Sequence, residues 1–440
     1  MVTLMKNSAD ITLILGGGFA GLFTALRLSR QHYPQKLLLI DREKRFTFKP
    51  LLYEFLSGEM TADQIWPCYK ELLQGSSVTF IQDTVQSIDL HQQQVKLASG
   101  SHQTYSHLVL ALGSTTRYFD VKGAPENSFS FRTGQDALVL SKHLHVCLQQ
   151  AVQIDEPQQR CSLLTVVVIG AGSAGVELAA TLADLLPDWY AVLGGNPQEI
   201  RVVLLGRGVE LLSGARGESK SSLRSCARTA LQRRRVPVEL CLETEVIAID
   251  ANQVEFKRNE QFETLQTATV VWTAGIATNP FIKALPIPQE HRDHHGRLQV
   301  TPTLQLPDFP EVFAAGDCVV CEQNPLPPTA QAAYQQGEVI AQNLKAIAEG
   351  TKLSPAEVKL SGTFLKLGLG ESAANLLDRF EVEGQLGHLI RQATYAELLP
   401  TPVHNLKATT KWMVDEIFQR HNSPGNLANI PVVQERQGNF

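Results

Sequence analysis

Two stretches of this 440-residue chain repeat one local plan, and that duplication limits the fold more than any other feature. Each is a short apolar run, a glycine turn and a stretch of apolar residues at helical spacing. In the first, Ile11 to Leu15 runs into Gly16-Gly17-Gly18-Phe19-Ala20-Gly21, followed by Leu22, Ala25, Leu26 and Leu28. In the second, Leu163 to Ile169 runs into Gly170-Ala171-Gly172-Ser173-Ala174-Gly175, followed by Val176, Leu178, Ala179 and Leu182. A further buried run, Lys36 to Ile40 in one case and Ile200 to Leu205 in the other, completes a βαβ context. A lone GxGxxG is weak evidence. Two of them, each between a strand and a helix, predict an α/β chain with two Rossmann-like dinucleotide-binding domains.

The glycines have separate physical tasks: Gly16 permits the tight turn, Gly18 lets the backbone approach a pyrophosphate, and Gly21 lets the helix pack closely on the strand. Gly170, Gly172 and Gly175 repeat them. Asp41, at the end of the strand after the first motif, is placed to accept hydrogen bonds from an adenosine ribose, against a plain reading as a turn residue. Gly206 stands at that position in the second unit and Arg207 follows it. A carboxylate would repel a 2′-phosphate, whereas glycine leaves room and arginine can pair with it, so the second unit reads as preferring NADPH. The alternative is a solvated loop arginine. Three more apolar runs end in glycine: Leu108 to Leu112 at Gly113, Thr269 to Trp272 at Thr273-Ala274-Gly275, and Val312 to Ala315 at Gly316-Asp317. They read as strands delivering the chain to a cofactor edge, and Asp317 adds a carboxylate suited to a polyol.

The length calls for two or three domains. With 43% hydrophobic and 19% charged residues the chain reads as soluble and globular, and its apolar runs are far shorter than the roughly 20 residues of a membrane span. A net charge of -5 gives no general attraction to nucleic acid. Met1 to Asp10 lacks the pattern of a secretory signal, and the seven scattered cysteines suit a reducing compartment, both pointing to the cytoplasm. Cys318 and Cys321 alone have CxxC spacing; without a second ligand pair no metal is expected, and a redox disulfide competes with ordinary buried thiols. Asp155 to Arg160 reads as a surface connection, with another break near Pro286 to Gly296. After Glu349-Gly350 a shorter region carries turn signals at Ser361-Gly362, Gly368 to Gly370 and Gly384 to Gly387, then a polar tail from Ser423-Pro424-Gly425. The division expected is 1–118 and 296–348 for the first cofactor domain, 119–295 for an inserted second one, and 349–440 for a C-terminal region.

Together, Gly16 to Gly21 with Asp41, the second glycine unit and Phe313-Ala314-Ala315-Gly316-Asp317 resemble the flavoproteins with two dinucleotide-binding domains. Pro50-Leu51-Leu52-Tyr53-Glu54 and Pro328-Thr329-Ala330-Gln331-Ala332-Ala333-Tyr334-Gln335 resemble the type II NAD(P)H:quinone oxidoreductases. Leu389 to Tyr395 and Pro402 to Lys407 are similar to their cyanobacterial and plastid demethylphylloquinone reductase branch. The resemblance implies non-covalent FAD held by Gly16, Gly18, Gly21, Asp41, Lys49, Pro50, Gly113, Asp317 and Ala330. It implies NADPH or NADH on Gly170, Gly172, Gly175, Arg207 and Gly275. Hydride would pass to the flavin and two electrons to a membrane quinone of the naphthoquinone class, without proton pumping. Glu177 would position substrates or assist proton delivery, against its reading as a helix-dipole glutamate. Gln331 and Gln335 would share a helix face and bond quinone carbonyls, against surface glutamines. Tyr334, where many relatives carry histidine, and Lys49, where glutamine is frequent, depart from the pattern.

The same resemblance implies a peripheral enzyme on the cytoplasmic side of a plasma or thylakoid membrane, and a homodimer stays open. Leu406, Met413 and Ile417, with Trp412 and Phe418 and the cations Lys407, Lys411 and Arg420, suggest a C-terminal docking helix, or equally a stripe packed on the flavin domain. A sulfide:quinone oxidoreductase and a non-catalytic redox sensor are the rival readings. The intact second glycine unit counts against the first.

Overall fold

The computed structural model describes residues 10–212, 219–322, 325–376, 380–401, 404–406 and 409–410. Its two parallel sheets realise the duplication. The first has six strands in the order Gln305–Leu306, Phe309–Ala314, His107–Leu110, Ile11–Leu15, Lys36–Asp41 and Val78–Gln82; all but the first pair in parallel. The second orders Glu239–Cys241, Arg201–Leu205, Thr165–Ile169, Thr269–Trp272 and Phe129–Ser130, all parallel. In each, the strand that feeds the glycine turn is central. The second strand of its βαβ unit lies on one side, and the strand leading to Gly113 or Gly275 on the other. Leu37 to Ile40 and Val166 to Ile169 are buried throughout, as strands covered on both faces must be.

Strand Phe309–Ala314 pairs with His107–Leu110 although the whole second sheet lies between them in sequence. The late segment therefore completes the first sheet and returns Gly316-Asp317 to the first glycine turn. The following helix, Ala330–Glu349, packs on Phe19–Arg30. Gly337 permits this close contact, since a Cβ there would lie 2.5 Å from the Ala20 carbonyl oxygen.

The C-terminal region is a three-stranded antiparallel sheet, Gly362–Gly368, Glu371–Leu376 and Phe380–Val382, with helix Gly384–Glu397 against its middle strand. Strand Gly362–Gly368 packs along helix Ser173–Val192 of the second unit. The region thus reaches the space between the two cofactor units.

Several boundaries differ from the sequence reading. Leu163 and Leu164 close a short helix, Pro157–Leu164, so the strand starts at Thr165 and the expected connection Asp155 to Arg160 is partly helical. Proline at its first position explains the start: that N–H would have had no helical partner. Gly384 to Gly387 is no turn, because Gly384 opens helix Gly384–Glu397 and Gly387 sits inside it, where a Cβ would lie 2.3 Å from the Ser372 oxygen. Among the described residues no helix is long and apolar enough to cross a membrane. Of the expected docking helix only Leu406, Thr409 and Thr410 are described; the rest of Leu406 to Arg420, the pair Pro402-Val403 and the polar tail lie outside the described residues.

Candidate functional site

The two glycine turns have matching local geometry. Gly16 and Gly170 hold φ of +97° and +114°, which L side chains rarely adopt. A Cβ on Gly21 would lie 1.9 Å from the Gly16 oxygen, and one on Gly175 1.8 Å from the Gly170 oxygen, so both positions are closed by helix-to-turn packing. Gly18 and Gly172 differ: a Cβ on either would meet nothing within 4 Å. Each turn thus presents bare backbone to open space at the start of a helix, a cradle that fits a dinucleotide pyrophosphate.

The units diverge at the end of the second strand. Asp41 accepts from the Gly17 N–H through Oδ2 at 2.5 Å and from the Glu43 N–H through Oδ1 at 2.8 Å, so its carboxylate braces the glycine turn. Burial raises its pKa, and the two N–H groups oppose that shift. In the second unit a Cβ on Gly206 would stand 2.6 Å from the Ala171 Cβ. Ala171 replaces Gly17 in the turn, and the glycine at 206 is required by packing as well as by any phosphate. Arg207 is exposed, with its guanidinium over the Phe119 ring.

Around the first turn, Gly113 at φ +64° leads to Ser114, whose hydroxyl donates to Asp317 Oδ2 at 2.7 Å. Arg132 donates to the Ser114 carbonyl and hydroxyl at 2.8 and 2.9 Å. Lys49, exposed in the short 3-10 turn Lys49–Leu51 beside Pro50, has Arg132 and Asp317 among its charged neighbours. Gln336 accepts from the Gly316 N–H at 2.8 Å, holding the turn that presents Asp317; Ala330 opens the same helix as Gln336. Ser114, Arg132 and Gln336 were not singled out from the sequence. Ser114 and Gln336 directly follow Gly113 and Gln335, but which partners they meet depends on segments elsewhere in the chain.

Gln331 and Gln335 do share a face, but both are engaged. Gln331 accepts from the Ser361 N–H at 2.9 Å and donates to the Gly362 oxygen at 3.5 Å; Gln335 accepts from the Lys359 N–H at 2.9 Å and donates to its oxygen at 2.8 Å. They pin the segment entering the C-terminal sheet. Tyr334 packs edge-on to Phe23 and donates to Glu338 at 3.2 Å.

Glu177 is buried just past the first turn of helix Ser173–Val192, where three parts of the chain meet, so it is not the first-turn glutamate of the helix-dipole reading. Its Oε1 accepts from the Lys366 N–H at 2.9 Å, the Arg391 guanidinium lies 3.9 Å away, and Tyr53, from the segment after Pro50, stands beside it with its hydroxyl donating to the Ala174 oxygen at 3.5 Å. Burial pushes its pKa up to about 7, with Arg391 and the Lys366 N–H opposing. Next to it lies an ion cluster in which Glu54, Lys366 and Arg391 are fully buried and Glu59 partly so. Arg391 bonds Glu54 and donates to the Pro50 carbonyl at 2.5 Å, and Lys366 Nζ reaches Glu59 at 2.6 Å and Glu54 at 3.3 Å. Burial alone would raise the Glu54 pKa, yet Arg391 and Lys366 hold it down to about 2. Burial, with Lys366 acting in the same direction, depresses His388 to about 4, leaving it neutral. Glu54 and Arg391 stand inside the sequence motifs already noted, but their pairing was not legible there. The cysteines are free; Cys318 is buried and donates to the Ala315 oxygen at 3.2 Å, and burial first, then Asp317, pushes its thiol up to about 12, well away from the thiolate range.

Comparisons with known proteins agree with this geometry. The family model "Pyridine nucleotide-disulphide oxidoreductase" matches residues 11–337. The demethylphylloquinone reductase NdbB of Synechocystis sp. is 33% identical over 420 residues, covering 93% of this chain and 97% of its own. The alternative NAD(P)H-ubiquinone oxidoreductase C1, chloroplastic/mitochondrial, of Arabidopsis thaliana is 30% identical over 450 residues, covering 92% and 81%. Among solved structures, NDH2 from Plasmodium falciparum in complex with NADH has the same fold, with a TM-score of 0.78 at 16% identity over 94% of this chain and 99% of that one.

Proposed function

The chain belongs to the pyridine nucleotide-disulphide oxidoreductase family and, within it, to the type II NAD(P)H:quinone oxidoreductases, and from that premise we propose that it oxidises NADPH in preference to NADH and reduces a membrane naphthoquinone, demethylphylloquinone foremost, without pumping protons. It is a flavoprotein enzyme, with FAD and NAD(P)H as its cofactors. Held by the first cradle, FAD supplies the two-electron carrier between donor and quinone. The observation that carries the proposal is the position of Glu177: one turn from the donor's cradle, beside Tyr53 of the segment after the Lys49-Pro50 turn, and closed over by Lys366.

Reducing a quinone to a quinol with hydride from NAD(P)H consumes one proton from solvent per turnover. Glu177, protonated below about pH 7, is the group able to hold that proton at the junction. Arg391 keeps the carboxyl from becoming a weaker acid still, and the Lys366 N–H fixes its orientation. Asp317, braced by Ser114, would hold the ribityl chain, and Gly16, Gly18, Gly21, Asp41, Lys49, Pro50, Gly113 and Ala330 would complete the FAD site. Gly170, Gly172, Gly175, Arg207 and Gly275 would hold the donor. Gln331 and Gln335 would bound the acceptor end through the segment they pin.

We assign 1–118 with 296–348 to FAD, 119–295 to the donor, and 349–440 to the quinone side, lying peripherally on a membrane's cytoplasmic face. Leu386 and Leu389, 60% and 43% exposed and three residues apart on one helix, support membrane contact. The test is anaerobic bleaching of the flavin by NADPH and by NADH, then reoxidation with a panel of quinones. Rapid bleaching by NADPH and fast reoxidation by a naphthoquinone are expected; a flavin that neither donor reduces would end the proposal.

A further inference from the structure

An exposed aromatic ring stands at the mouth of the donor cradle, and its backbone carries strain. Phe119 has φ of +52° and is 41% exposed, and Asp120 after it is also left-handed at +59°. A bulky side chain in that region is a genuine outlier, and such strain persists where the surroundings over-determine it. Here the ring rests on Gly275: a Cβ at 275, itself at φ +70°, would lie 2.5 Å from the Phe119 ring. Exposure and strain are both unfavourable for a residue whose task is only to pack.

The sheet order shows what the ring faces. Strands Arg201–Leu205 and Thr269–Trp272 flank the central Thr165–Ile169, whose turn forms the cradle. Arg207 follows the first flanking strand and Gly275 the second. The Arg207 guanidinium carbon lies 5.7 Å from the Phe119 ring centroid, so the two side chains meet across the cradle's mouth. Arg117 also lies over the ring, at 4.6 Å. Among the described residues neither arginine is ion-paired with a carboxylate. Ile276, 43% exposed, adds apolar surface beside Gly275.

We propose that Phe119 is the platform on which the donor's adenine stacks, entering between the ring and the Arg207 guanidinium. A flat, neutral base suits an aromatic face on one side and a planar cation on the other. Arg207 then has two surfaces to offer, its plane to the base and its edge to a 2′-phosphate. The adenine contact is common to NADH and NADPH, so Phe119 governs affinity for both, and only Arg207 separates them. The inference rests on the second glycine unit being the donor site.

The test uses the FAD-loaded full chain with Phe119→Leu, which keeps the backbone cost and most of the apolar volume but loses the flat face, and Phe119→Trp, which restores it. Binding of 5′-AMP to the oxidised protein by calorimetry, and KM for both donors, should weaken about tenfold in the leucine variant, within the range of base–aromatic stacking. The turnover number and quinone reoxidation rate should hold, and the tryptophan variant should recover both readouts. Unchanged 5′-AMP affinity in Phe119→Leu, or equal loss in Phe119→Trp, overturns the platform. If 5′-AMP does not compete with NADPH even in the unsubstituted protein, the donor site itself is misplaced and the platform goes with it.

Discussion

Arg391 bonds Glu54 from 337 residues away, and neither side chain reaches solvent. The pair fastens helix Gly384–Glu397 to the segment that follows Lys49-Pro50, while the same guanidinium faces Glu177. With Lys366, two buried cations oppose the carboxylates of Glu54 and Glu59, and the charges balance when Glu177 is neutral.

Removing one partner of such a pair leaves the other charge buried. Arg391→Met should cost about 3 kcal/mol, at the low end for a broken buried pair because Lys366 still faces Glu54. Arg391→Met combined with Glu54→Gln should regain most of it. Urea midpoints of the FAD-loaded proteins check this; a double variant no more stable than the single would show that the charge pair is not the cause.

Glu177 sets a pH dependence whose sign follows from its raised pKa. The carboxyl is ionised in the unfolded chain above about 4.5 but stays protonated in the folded protein until about 7, so its contribution to stability declines as pH rises between those values. The supply of its proton declines over the same limb. Flavin reoxidation by quinone should slow as pH rises through about 7, Glu177→Gln should abolish the inflection, and Arg391→Met should move it upward. A profile identical in all three proteins would remove Glu177 from proton delivery.

Arg207→Ala should raise KM for NADPH far more than for NADH. A charge-assisted contact is worth about 1.5–3 kcal/mol, which only the 2′-phosphate can lose. Parallel increases for the two donors would assign Arg207 to the adenine alone.

Replacing both Gln331 and Gln335 with leucine should slow reoxidation by quinone much more than reduction by NAD(P)H, because the two side chains hold the segment from Lys359 to Gly362. Stopped-flow absorbance separates the half-reactions. Normal reoxidation with slowed reduction would place these residues on the donor side.

Cys318→Ser with Cys321→Ser should keep quinone reductase activity, since the Cys318 thiol is buried and protonated. A rate lower by more than about a hundredfold, some 2.7 kcal/mol in barrier, with FAD retained would make a thiol part of the reaction.

The cofactor cradles were legible in the sequence because their requirements are local. A positive φ at Gly16, room for a backbone approach at Gly18 and helix contact at Gly21 are steric conditions set within six residues, and the flanking strands announce themselves by continuous apolar runs. Asp41 ends its strand where the spacing placed it, and its carboxylate braces the turn. The ends of elements were less so, as Pro157–Leu164 shows, because helix and strand compete there on small differences that packing decides. What the sequence could not contain was the proton affinity of Glu177. That depends on Lys366, 189 residues later, on Arg391 and on Glu54, and on the exclusion of water from all of them. Nor could it show Phe119 meeting Arg207 across the cradle. Residue type and spacing carry local sterics; Coulomb interactions and desolvation depend on distances that exist only after the chain has closed on itself.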